Sequence, residues 1–550
     1  MALRRSLAAK CLPFVLAIAV SQLSLPQSAG LQASVLTYHN DNQRTGANTA
    51  ETTLTPANVN VKTFGKLYAF AVDSVIYGQP LYVPNVPING IAHNVVMVAT
   101  ENNTIYAFDA DNKVSTPLWK AHVGIPVPCS TNQPVTNSYC DLVLRTSTVG
   151  ITATPVIDLT QGTRGALYVE ARTNPNNAGK YFHSLHKLDL TTGKEMSGSP
   201  VEITGSVKGT GKDNVNGVLT FNQASQNDRG ALLLAGGIVY VPFASINDAP
   251  VFHGWIFGYD ASTMKKHYIF NTTPNNSSNG NGDGEDGAIW NGTLAADINN
   301  NIFTATGNGT WDTSVHDWSA TFLKLTPGTR LTVGDYFTPQ ALAFARQDTD
   351  LGTNAPILLP DQAGTFPHLL IGGDKNGTLY LVNRDNMGKY NSSGDQILQE
   401  VPDAVGVRIT GAADCDGAAQ NDCNYSSGVY WNGNVYFSGV NDNVKAFSLS
   451  NATVIGPTSK SSGTYAFPGA SPSISANGTT NGILWTVEPA VAVLHAYDAT
   501  NLANELYNST QATGGRDALG SNVKFAPPTI VNGKVFVGTK TQVVVYGLLP

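Results

Sequence analysis

Charge is scarce in this chain. Lys, Arg, Asp and Glu make up 13% of its 550 residues, with a net balance of −7. No basic run follows residue 30. A surface that neutralises nucleic-acid phosphates needs one, so nucleic acid is not an expected partner. Long apolar runs are missing as well. Past residue 30 no segment approaches the roughly 20 residues that cross a bilayer as a helix, so no stable membrane span is expected there. Cysteine is sparse: Cys11, Cys129, Cys140, Cys415 and Cys423. None stands in a C-x-x-C pattern, which argues against a zinc or dithiol site. G-x-S-x-G, H-E-x-x-H and the P-loop pattern are all absent.

The N-terminus carries a targeting pattern. Arg4 and Arg5 precede the apolar stretch "CLPFVLAIAV", and small polar residues run to "QSAG". Residues 1–30 read as a secretory signal peptide with cleavage after Gly30. "LRRSLA" also resembles a twin-arginine signal. The expected location is exported, periplasmic or extracellular. Loss of Cys11 leaves two local pairs, and in an oxidising compartment Cys129–Cys140 and Cys415–Cys423 are expected disulfides.

What is abundant is glycine (54), proline (29) and short β-branched runs. One hexapeptide recurs: "IYAFDA" at 105, "IFGYDA" at 256 and "LHAYDA" at 494. Divergent copies begin at 185, 322, 379, 444 and 543, giving eight anchors. Each is preceded by a second apolar run, such as "VVMVAT" or "KVFVGT", and by a third, such as "QPLYV" or "APPTIV". Several are followed by a fourth, such as "KHYIF", and "KLYAFAV" stands ahead of the first unit. The runs are short and bounded by Gly, Asn or Pro, as strands are. One such sheet cannot bury both faces, but eight stacked radially bury one another. The expected fold is all-β: an eight-bladed β-propeller of four-stranded antiparallel blades over 64–550, after a leader at 31–63. The recurring aromatics Phe108, Tyr259 and Tyr497 should pack between blades. The aspartates after them, Asp109, Asp260 and Asp498, should cap the following turn. His183 and His186 read as ordinary strand residues.

With these repeats the chain resembles the pyrroloquinoline quinone (PQQ) repeat superfamily, which holds eight-bladed quinoprotein alcohol dehydrogenases and many non-enzymatic propellers. The leader carries Arg44 and the phrase Leu54–Val59, and "TGNGTW" at 306–311 resembles the fourth-blade motif of the dehydrogenases. The resemblance implies a flat, polyanionic PQQ with calcium as Lewis acid. It assigns Trp290 to stacking, Asn308 and Asp248 to calcium, Asp350 to the catalytic base (Asp348 second) and Lys375 to the quinone oxygens. Each also has a plain reading: Trp290 as a core aromatic, Asn308 as a turn residue, Asp350 as a loop cap, Lys375 as a solvated turn lysine.

The chain departs from the family pattern. Ala249 stands at the third-blade calcium carboxylate, with Asp248 beside it. No Cys-Cys pair occurs, and "HDWSA" replaces a Gly-Asp-Asn phrase. Calcium selects anionic oxygen, so losing a carboxylate weakens such a site. "NGNGDG" at 279–284 matches half of an EF-hand loop, but Trp290 stands where its twelfth-position Glu belongs. The reading is an exported propeller acting as a binding or interaction module with a vestigial cofactor pocket, its partner a small molecule or protein at the propeller end. The alternative is a PQQ- and calcium-dependent dehydrogenase oxidising an alcohol or sugar.

Overall fold

The recurring hexapeptide is the third strand of every blade. In the computed structural model, strands Thr104–Asp109, Phe182–Asp189, Trp255–Asp260, Phe322–Pro327, Leu379–Asn383, Asp442–Ser450, Val493–Asp498 and Gln542–Leu548 hold this place in eight antiparallel sheets. The structure describes residues 33–129, 140, 146–175, 180–246, 251–275, 285–289, 293–343, 349–407, 423–521 and 523–550. Among these, no helix is long and apolar enough to cross a membrane.

Blade 1 runs outward as Leu81–Ile88, Ile91–Ala99, Thr104–Asp109 and Trp119–His122. Blades 2 to 7 repeat that order, with innermost strands at Val156–Asp158, Leu233–Ala235, Ala295–Ala296, Ile357–Leu358, Val429–Trp431 and Ser473–Asn477. Blade 8 is composite. Its inner three strands come from the C-terminus, and its outer strand is Phe64–Ala71, which pairs antiparallel with Gln542–Leu548. The run "KLYAFAV" is therefore the closing strand. Joining the two ends of the array in one sheet leaves no blade with a bare face.

The repeated aromatics do pack between blades. Phe108 stacks on Phe70 of blade 8 at 4.5 Å. Tyr497 of blade 7 bonds through its hydroxyl to Tyr465 of blade 6 at 2.9 Å. Tyr259 is buried in the cluster that also holds Tyr168 of blade 2. The aspartates cap their turns. Asp260 accepts from the Ser262 and Thr263 amides and hydroxyls, which hold its pKa down near 2. Asp109 and Asp498 accept from the amides of Asp111 and Thr500. His183 and His186 are strand residues paired with Glu170 and Glu195.

The leader has a structural task that its composition did not announce. Between Val35 and Asn48 it hydrogen-bonds all eight innermost strands in blade order. Val35 pairs with Tyr82, Leu36 accepts from Ile157, and the Asn42 side chain donates to Leu234 O. The carbonyls of Asn42, Gln43, Thr45 and Gly46 accept from Ala296, Leu358, Tyr430 and Ile474. Asn48 Nδ2 closes the circuit on Ile530 O at 2.9 Å. An innermost strand is a sheet edge with unpaired backbone groups, and the leader supplies their partners.

Arg44 is the centre of this plug. It is fully buried, and its guanidinium donates to Leu294 O, Leu232 O, Tyr38 O and Thr37 Oγ1. Burial pulls its pKa down to about 10, still far above neutrality. His39, equally buried, stacks on Tyr38 at 4.2 Å, and burial pushes its pKa down to about 3.

Cys129 and Cys140 form a disulfide with Cα atoms 6.1 Å apart. Cys423 is disulfide-bonded too, and its expected partner Cys415 lies outside the described residues.

Candidate functional site at the propeller axis

Three of the five residues singled out from the sequence meet beside the axis. Asn308 follows the second strand of blade 4, Asp350 precedes the innermost strand of blade 5, and Lys375 follows that blade's second strand. All three are buried. Lys375 Nζ lies 2.9 Å from Asp350 Oδ2, and the Asn308 N–H donates to Asp350 Oδ1 at 2.8 Å. The backbone repeats the link, since the Lys375 N–H donates to Asp350 O at 2.9 Å. A Cβ on Gly307 would sit 2.6 Å from Asp350 Oδ1, which explains the glycine before Asn308 in "TGNG". The plain readings of Asp350 as a loop cap and Lys375 as a solvated lysine do not describe this buried ion pair. Trp290, Asp248, Ala249, Asp348 and the 279–284 loop all lie outside the described residues.

The neighbours were not legible as a set. The Lys375 ammonium stands 5.8 Å from the centre of the Tyr425 ring. Phe467 meets Tyr425 edge-on at 5.1 Å, and Lys524 lies 4.6 Å over Phe467. Arg229 lies 5.5 Å over Phe525. Cations from blades 3, 5 and 8 thus sit on a shared aromatic group, an arrangement that stabilises charge at low hydration. The positions that could have given this are the residues just ahead of each innermost strand. Tyr77, Arg229 and Ser427 share that place in blades 1, 3 and 6.

Arg229, Tyr425 and Phe525 border a cavity of about 40 Å³, with Tyr38 of the leader on its other side. Hydroxyls of Thr152, Thr154, Thr293, Ser427 and Ser471 also line it. Burial pushes the Tyr38 phenol up to about 12, so it is a neutral donor at physiological pH. Behind Thr152 stands Glu101, which accepts from the Gly150 N–H and the Thr152 hydroxyl. Burial raises its pKa to about 7. Asp228, next to Arg229, is buried and pushed well above the usual carboxylate range by burial and then by Glu170.

The resemblance implies PQQ and calcium at this place, with Trp290 and Asp248 of the residues it assigns lying outside the described ones. The 40 Å³ cavity has room for about three waters, and Asn308, Asp350 and Lys375 are not among its lining residues. One oxygen of Asp350 accepts from the Asn308 N–H and the other faces Lys375. Among the described residues no three His, Cys, Asp or Glu side chains converge as metal ligands.

No family model matches the sequence, and neither does any curated protein. Solved structures do match. A quinohemoprotein alcohol dehydrogenase from Comamonas testosteroni aligns with a TM-score of 0.60 at 15% identity, over 94% of this chain and 80% of its own. A europium-containing methanol dehydrogenase aligns at 0.59 and 14% identity, over 94% and 98%. Quinohemoprotein alcohol dehydrogenase ADHIIG from Pseudomonas putida HK5 aligns at 0.57 and 13%, over 94% and 80%. At these identities the likeness speaks for architecture alone. By that architecture the chain is an eight-bladed β-propeller.

Proposed function

We propose that this chain is an exported propeller that works as a binding or interaction module, its axial pocket a vestige of a cofactor site. The observation that carries this reading is the state of Asp350. A general base needs an oxygen presented to the substrate proton. Here the carboxylate is buried, with one oxygen on the Asn308 amide and the other on Lys375. Export is supported by the Cys129–Cys140 disulfide, a bond typical of oxidising compartments. The axial end, with its cations on aromatic rings, is where a small molecule or protein partner would bind.

The convergence of Asn308, Asp350 and Lys375 favours a second reading, a PQQ- and calcium-dependent dehydrogenase of alcohols or sugars. Dye reduction separates the two. Protein incubated with PQQ and calcium, then given a panel of primary alcohols and aldoses, is expected to reduce no dye above the rate of an Asp350→Asn variant. Substrate-dependent turnover lost in that variant would establish the dehydrogenase.

A further inference from the structure

A recess of about 510 Å³ opens at the rim between blades 3 and 4. Its two long walls are the outer strands of these blades, Lys266–Asn271 and Leu331–Phe337. Two hairpins that interrupt the repeat complete it. One pairs Ser206–Lys208 with Val218–Thr220, and the other pairs Trp311–Asp312 with Asp317–Trp318. The volume falls in the range of small-molecule sites.

The lining has two characters. Ile269, Phe270, Leu331, Val333, Trp318 and Tyr336 make an apolar, aromatic floor, with the Trp318 and Tyr336 rings 5.0 Å apart. Around it stand Lys208, His316, Arg330 and Lys389, all exposed. Among the described residues none of these four pairs with a carboxylate. One carboxylate, Asp335, lines the recess. Its oxygens accept the Tyr336 and Met387 amides. Lys389 is held in place by its backbone, which bonds Tyr336 O and the Thr338 N–H. The whole chain carries −7, so a basic rim here runs against the bulk charge.

We propose that this groove is a binding site for a small amphipathic organic anion: a flat apolar body on the Tyr336–Val333–Ile269 floor, and an acidic group among the rim cations. Unpaired cations beside apolar surface favour that combination over either a neutral apolar molecule or a bare inorganic ion. The site is separate from the axial pocket and does not depend on its reading.

Fluorescence titration of the full chain with 8-anilino-1-naphthalenesulfonate tests the proposal. One saturable class of site is expected. Lys208→Glu with Arg330→Glu should weaken it at least tenfold, and the milder Lys208→Met with Arg330→Met should weaken it several-fold. Thr332→Trp, which fills the groove from the Leu331–Phe337 strand, should also weaken it. The same charge change at remote exposed positions, Lys113→Glu with Lys460→Glu, should leave affinity within twofold. The uncharged N-phenyl-1-naphthylamine should bind at least tenfold more weakly than the sulfonate. Equal effects of groove and remote reversals, or equal affinity for the uncharged probe, would overturn the proposal.

Discussion

The axial site and the groove between blades 3 and 4 handle charge in opposite ways. At the axis, Lys375 faces Asp350, Asp350 also holds the Asn308 amide, and Arg44 is answered by backbone carbonyls. The cavity left over is about 40 Å³. At the groove, Lys208, Arg330 and Lys389 stand around about 510 Å³, and among the described residues none of them pairs with a carboxylate. A buried charge without a partner costs several kcal/mol, whereas an exposed one costs little. Folding therefore demands that the axis satisfy itself and leaves the groove free to be selected for a ligand. A charged residue prominent by motif need not be the one still available for binding.

The harshest way to break the comparison removes the frame that both regions share. Deleting residues 524–550 takes the three C-terminal strands of blade 8 and strands Phe64–Ala71 without its partner. The open ring should expose apolar faces and aggregate. Light scattering and circular dichroism check this, and a soluble, native-like truncation would contradict closure through the composite blade.

The next effect separates the two regions directly. Lys375→Met leaves Asp350 buried without its cation and should destabilise the fold by about 3–5 kcal/mol. Adding Asp350→Asn should restore much of that loss. Lys208→Met, in the groove, should change stability by less than about 0.5 kcal/mol. Urea unfolding of the three variants measures these differences. Equal costs at the two positions would erase the distinction.

A smaller effect depends on pH. The folded pKa of His39, about 3, lies below its ordinary value of 6.5, because burial favours the neutral ring. Its contribution to stability is complete above pH 6.5 and falls as pH drops toward 3. At pH 5 the loss is about 2 kcal/mol. Glu101 works in the other sense, since its raised pKa costs stability as pH rises from 4.5 to about 7. Comparing the native chain with His39→Gln at pH 7 and pH 5 cancels the Glu101 part. The native chain should lose about 2 kcal/mol more than the variant between the two pH values.

Much of the fold was legible because blades repeat. Three of the third strands end in an aromatic followed by Asp, and burial between blades keeps that pattern audible at 105, 256 and 494. The leader was not legible in the same way. Its bonds from Val35 to Asn48 are mostly backbone groups, which leave no side-chain period. The hairpins that build the groove use strands of two or three residues, too short to alternate visibly. At the axis, the order and spacing of Asn308, Asp350 and Lys375 were readable. Their mutual pairing was not, since it arises from loops of two blades meeting.

We propose that the axial pocket is a vestige of a cofactor site that no longer holds one. Titration of the purified full chain with PQQ, followed by absorbance with and without calcium, tests it most directly. The account predicts no saturable, calcium-dependent change, and no difference between the native chain and Asn308→Ala. Tight calcium-dependent binding that Asn308→Ala abolishes would contradict it and make the pocket a working quinone site.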